Sequence, residues 1–224
     1  MTQTIIRCQE ICLALSIRGG IVPVIQTLLL TVLTLSVERY FTIRASFGRM
    51  KLSKFVEQIK DALNNGDLGK AQELCDKQRG SVANVVSSTL RKYREMEKTN
   101  DLTKEQKVLA IQKELEEATA LELPMMQQNL PIIATITTLG TLMGLLGTVI
   151  GMIRSFAALS AGGGTDSVAL STGISEALIN TAFGILTGAL AVISYNYYTN
   201  KIDKLTYSLD EVGFSIVQTF ASTH

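Results

Sequence analysis

Long uncharged runs alternate along this chain with charge-rich periodic ones. Stretches 20–37, 123–153 and 177–200 contain no Asp, Glu, Lys or Arg, and each reaches the roughly 18 residues that an apolar helix needs to cross about 30 Å of hydrocarbon. They predict transmembrane helices over 20–37, 123–153 and 168–200, the last extended upstream through Glu176. Residues 38–122 show helical periodicity instead, as in Val56, Ile59, Leu63 and then Ala71, Leu74, on either side of a turn at Asn64, Asn65, Gly66 and Asp67. No strand pattern competes. Lys, Glu, Gln and Ala, strong helix formers, dominate 102–123, which predicts a helix running into the second span with a bend at Pro124 or Pro131. After Lys201, the residues Ile202, Leu205, Leu209, Val212, Ile216 and Phe220 recur at spacings of three and four, the apolar stripe of a helix. The tail lacks the basic polar face of a membrane-surface anchor. The stripe is therefore expected to pack on the cytoplasmic domain of its own chain or of a neighbour.

The fold class expected is an all-α membrane protein with three transmembrane helices, two of them long and extended into a cytoplasmic helical domain. Composition agrees: 46% of the 224 residues are hydrophobic, only 18% are charged, and the mean hydropathy is +0.25, which disfavours a soluble enzyme. A net charge of +1 gives no reason to expect a nucleic-acid partner. Sixteen of the 21 Lys and Arg residues fall between Arg39 and Lys113, whereas Arg7 and Arg18 alone precede the first span. That bias predicts a cytoplasmic 38–122 domain. Threading the chain from there gives a periplasmic segment 1–19, a periplasmic loop 154–167 and a cytoplasmic C-terminal helix 201–224. Tyr40, Phe41, Tyr195, Tyr197 and Tyr198 fall where an inner aromatic belt would sit. Glu38, Arg39 and Tyr40 stand where a cleaved signal peptide would need small residues, so the first span is expected to remain.

The sequence offers little for catalysis. Cys8, Cys12 and Cys75 cannot all pair, and the single histidine is His224, so no zinc set with plausible spacing exists and the cysteines are read as small apolar residues. No nucleophile stands with a base, and the Gly162, Gly163, Gly164 run lacks the Lys and Ser or Thr of a phosphate loop. It is read as a flexible outer loop. No enzyme activity, metal or cofactor is expected.

The polar residues within the spans are more informative. Gly140, Gly144, Gly147 and Gly151 in the second span, with Gly184 and Gly188 in the third, have the spacing that lets helices approach closely. Thr137, Thr141, Gly144 and Thr148 step by four, three and four onto nearly one angle. Glu176, Asn180, Thr187 and Ser194 form a stripe on the third span, from which Thr181 points about 140° away at about 3.6 residues per turn. Threonines in such helices either bond back to their own backbone or line a polar path. Glu176, about 12 Å inside a helix that starts near Val168 and is capped by Asp166, costs roughly 2.5–3.5 kcal/mol to insert. It is expected to meet water, a cation, a hydrogen-bond donor or Arg154.

Two motifs then carry a resemblance. They are 139–153, LGTLMGLLGTVIGMI, and 173–184, GISEALINTAFG, with Tyr195-Asn196, Glu38-Arg39, and Gly66-Asp67 before Ala71 and Cys75 in support. From about residue 20 onward the chain resembles the ExbB/TolQ family of inner-membrane energy-transduction proteins, related to the flagellar MotA stator, and ExbB most. The resemblance implies a bacterial inner-membrane protein, N-terminus outside and C-terminus inside. It implies a homopentamer whose second and third spans enclose single-span helices of an ExbD-like partner, with protons as the coupling ion and a TonB-like protein receiving the work. By motif position, Thr148, Glu176 and Thr181 are the implied channel residues. Leu190 stands where many members have proline, and Asn180 adds polarity beside Thr181. A TolQ-like subunit of the Tol-Pal system and a non-conducting scaffold remain the alternatives.

Overall fold

The computed structural model describes residues 21–99, 101–161 and 167–223. Cys8, Cys12, the Gly162–Gly164 run, Asp166 and His224 lie outside them. The described chain is helical, with no strand: α1 (Val22–Ser46), α2 (Leu52–Asn64), α3 (Leu68–Gln78), α4 (Ser81–Lys98), α5 (Lys104–Gln127), α6 (Leu130–Ala161) and α7 (Ser167–Thr223). Three of its helical stretches are long and apolar enough to cross a membrane. The residues fall into two compact units, one from α1 up to Glu38 with 129–197, the other from 39–128 with 198–224.

In the first unit, Val32 and Leu35 of α1 close a small core with Ile133 and Ile136 of α6 and Ala191 of α7. Large apolar side chains such as Leu142, Val149, Ile153, Leu178, Ile185 and Ile193 remain exposed, as expected of helices whose outer surface meets hydrocarbon or other helices rather than water. Helix α5 ends at Gln127 and α6 begins at Leu130, so the break lies between the two prolines. Asn129 takes φ +67 there and donates from Nδ2 to Glu38 Oε2 at 2.9 Å. Asparagine tolerates this left-handed conformation better than most residues. Pro131 falls in the first turn of α6, where a missing N–H costs nothing, and Pro124 lies inside α5.

In the second unit α2 packs on α3, α3 on α4 and α4 on α5. The turn 64–67 forms with Asp67 accepting from the Lys70 amide at 2.9 Å, and α5 starts with a capping box between Thr103 and Gln106. The apolar stripe of the tail is buried along its length, with Ile202, Leu205, Leu209, Val212, Ile216 and Phe220 at most 2% exposed. Its partner is the same chain: Phe220 meets Tyr93 edge-on with centroids 4.8 Å apart, and Glu211 pairs with Lys60.

The turn joining α1 to α2 is held by a residue that periodicity does not reveal. Gln78 is fully buried. Its Nε2 donates to the carbonyls of Phe47 at 2.8 Å and Met50 at 3.2 Å, and its Oε1 accepts from the Met50 amide at 2.9 Å. Gly48, at φ +73, lies so close to the backbone carbonyls of Gln78 and Arg79 that a Cβ has no room. Gln78→Leu removes three hydrogen bonds and strands the polar groups of the turn, an expected loss of about 2–4 kcal/mol. Thermal unfolding of the full chain in detergent measures it, and an unchanged midpoint would contradict this role.

Cys75 is buried, and burial pushes its thiol up to about 12. The thiolate is the reactive form. In a Cys8→Ser, Cys12→Ser background, Cys75 is therefore expected to resist alkylation at pH 8 until denaturant is added. Equal rates in the folded and denatured chain would refute it.

Candidate functional site

Helices α6 and α7 pair along glycine. A Cβ built on Gly184 would stand 2.6 Å from Gly144 Cα and 2.7 Å from the Gly140 carbonyl, and one on Gly188 would stand 2.9 Å from the Thr137 carbonyl. On the other helix, a Cβ on Gly147 would meet Asn180 Cβ at 2.7 Å, and one on Gly151 would meet Ala177 Cβ at 2.7 Å. The two backbones thus approach more closely than any side chain allows. Ser155, 2% exposed, continues the small-residue step of α6 one turn further, against Gly173. Its place four residues after Gly151 is the signal that marks it in the sequence.

Polar side chains flank this seam on both sides. At about 100° per residue, Thr137, Thr141 and Thr148 lie to one side of the glycine face of α6, and Thr181 lies to the matching side of α7. Two contacts fix the match: Thr181 Oγ1 donates to the Gly144 carbonyl at 3.2 Å, and a Cβ on Gly188 would meet Thr141 Cγ2 at 3.0 Å. Glu176, Asn180 and Thr187 share the opposite flank, the side on which Asn180 touches Gly147. Thr148 and Thr181 are half-buried and Glu176 is exposed, whereas Asn180 and Thr187 are 6% and 0% exposed. Because α7 is one regular helix, Glu176 and Thr181 stay about 140° apart. The candidate residues thus form two groups, not one.

Hydrogen bonding sets what each group offers. Thr137, Thr141, Thr148 and Thr187 each donate to a carbonyl three or four residues back, at 3.3, 2.9, 2.6 and 2.8 Å. A hydroxyl has one proton and two lone pairs, so the back-bonded threonines present acceptors outward. That suits a file of water or a hydrated cation. Thr181 alone among these five carries its proton across to the other helix. Arg154 is exposed, and no ion pair joins it to Glu176 among the described residues. No three His, Cys, Asp or Glu side chains gather in a metal-binding group among the described residues.

A family model described as the MotA/TolQ/ExbB proton channel family matches residues 80–211, more than half of the chain. The chain belongs to this family. The match takes in α6 and the transmembrane part of α7, with every candidate residue above. Relatives carry names from both branches. A putative biopolymer transport protein ExbB-like 3 of Synechocystis is 38% identical over 86 residues, 38% of this chain and 41% of that protein. A putative ExbB homolog of Methanothermobacter thermautotrophicus is 26% identical over 157 residues, 70% of this chain and 51% of that one. The Tol-Pal system protein TolQ of Haemophilus influenzae is 33% identical over 104 residues, 42% and 46% of the two chains. The chain thus spans about half the length, or less, of these relatives. As a MotA/TolQ/ExbB protein with three apolar helices of spanning length, it is a multi-pass membrane protein.

Proposed function

We propose that this chain is an ExbB-like subunit of a proton-motive-force-driven motor in the bacterial inner membrane. In this reading its N-terminus is periplasmic and its C-terminus cytoplasmic. Five copies form a ring around the single-span helices of an ExbD-like partner, and a TonB-like protein spanning the periplasm takes up the work for outer-membrane transport. Thr148, Thr181 and Glu176 line the proton path, Thr137 and Thr141 extend its polar surface, and Asn180 and Thr187 are further polar residues of the span, buried in the α6–α7 seam.

The observation that carries the reading is the pairing of α6 and α7 along glycine with polar residues kept on both flanks. Hydroxyls that have given their protons to the backbone can order water but cannot carry charge alone. Glu176 is the sole acidic residue within the three predicted spans, and one carboxylate does not make a relay across a bilayer. A second proton-carrying carboxylate, supplied by the partner helix, completes the path. The TolQ-like reading keeps the same path and changes the partner, and the Haemophilus TolQ relative is the observation in its favour.

Proton flux in liposomes tests it. Chain and co-encoded partner together are expected to pass protons under an imposed gradient, and the chain without its partner is not. Glu176→Gln should remove most of the partner-dependent flux while the complex stays intact by size-exclusion chromatography. An intact wild-type complex that passes no protons, even with the TonB-like protein added, would leave the non-conducting scaffold as the surviving alternative.

A further inference from the structure

Asn180 is an unexplained group of the α6–α7 pair. It is 6% exposed, and its Oδ1 is buried with no hydrogen-bond partner. Buried amide oxygens almost always find a donor, and one left without calls for an account. The site is crowded: the side chain lies against Gly147, whose own Cβ would overlap it. A donor from a second protein chain has no open route to this oxygen.

The candidate donor within the chain is one turn away. Glu176 precedes Asn180 by four residues and shares its flank. Side chains on a helix lean toward its N-terminus, so Asn180 leans toward the turn that holds Glu176. A Gln four or so residues from an Asn or Asp forms a stabilising side-chain hydrogen bond on a helix. A protonated glutamate has nearly the shape of Gln and, like it, one donor end. An ionised glutamate has no donor.

We propose that Asn180 is a positioning residue for Glu176: its Oδ1 accepts a hydrogen bond from the protonated carboxyl, which lies along α7 in that state and swings outward to the exposed position when ionised. The inference rests on the reading of Glu176 as part of the proton path and makes protonation change its place as well as its charge. Beside the carboxylate expected from the partner helix, few other charges bear on the carboxyl within this chain. No Asp, Glu, Lys or Arg occurs in α1 between residues 22 and 37, Arg154 is the one charged residue of α6, and α7 carries no other before Lys201. Arg154 falls on the same flank of the seam as Glu176 at about 100° per residue.

Infrared difference spectroscopy between alkaline and acidic pH, on the full chain with its partner in liposomes, tests the hydrogen bond. The carboxylic-acid band lost in Glu176→Gln belongs to Glu176. In Asn180→Leu, which keeps the branching at Cγ but is bulkier, that band is expected at higher frequency, as for an acid deprived of its acceptor. Asn180→Ala, too small to clash with Gly147, is expected to show the same shift and serves if the Leu variant does not fold. A Glu176 band at unchanged frequency in either folded variant, or no band that Glu176→Gln removes, overturns the proposal. Proton flux through the same liposomes separates the two questions. A band shift without wild-type flux upholds the hydrogen bond and overturns the channel, whereas flux with an unmoved band does the reverse.

Discussion

Gly184→Val is expected to separate α6 from α7 and to leave a chain that neither assembles nor accumulates as the wild type does. The atoms in the way are backbone: a Cβ at this position would stand 2.6 Å from Gly144 Cα and 2.7 Å from the Gly140 carbonyl. A side chain in the way can change rotamer, but two helix backbones in the way must move apart. Overpacking a tight site costs about 1–3 kcal/mol and sometimes more, and Gly184→Val belongs at or beyond the top of that range. In a protein of this size such a loss lowers the unfolding midpoint by about 6–12 °C. Gly69→Ala is the contrasting control. Its Cβ would meet only the Asp67 carboxylate, at 3.3 Å, a side chain rather than a backbone, so Ala within α3 is expected to change stability by no more than about 1 kcal/mol. Midpoints in detergent, with size-exclusion profiles of the complex, decide the matter. Gly184→Val with a wild-type midpoint would mean that the helices do not pair in this way.

The features legible in the sequence are those that periodicity or the absence of charge encodes. Three uncharged runs mark the spans because hydrocarbon admits few alternatives. The stripe from Ile202 to Phe220 marks a buried helix face because a period near 3.6 has no other common cause. Its partner was not legible: the same stripe serves for packing within a chain or between chains, and contacts such as Phe220 on Tyr93 are set by elements more than a hundred residues apart. The end of α5 was legible to within a few residues. Prolines drew attention to positions 124 and 131, but the interruption falls at Gln128 and Asn129, where a left-handed asparagine and its bond to Glu38 shape the backbone. Gln78 was not legible at all. A glutamine in a polar helix looks like surface, and nothing local shows that the turn from Phe47 to Met50 folds over it. The candidate site divides in the same way. The angle between Glu176 and Thr181 follows from their spacing, but the burial of Asn180 depends on Gly147, a residue of the opposite helix.

Thr148→Val and Thr181→Val together separate a proton path from a packing surface. Valine keeps the shape of threonine and removes the hydroxyl, so neither change opens a cavity of any size. Thr148 Oγ1 donates to the Leu145 carbonyl at 2.6 Å within its own helix, and that carbonyl keeps its ordinary helical donor when the hydroxyl goes. Thr148→Val is therefore expected to leave the midpoint within about 2 °C of the wild type. Thr181 Oγ1 crosses to the Gly144 carbonyl, and its loss is expected to cost about 0.5–1.5 kcal/mol, a midpoint some 2–5 °C lower. If both hydroxyls order water along one flank of the seam, both substitutions reduce partner-dependent flux by about tenfold, a barrier higher by roughly 1.4 kcal/mol. Stability and flux then rank the variants differently: Thr148→Val loses flux alone, and Thr181→Val loses both. A packing role predicts the other order, with flux following the midpoint and Thr148→Val conducting like the wild type. Paired measurements on the same preparations distinguish them, and wild-type flux through Thr148→Val would remove the threonine flank from the path.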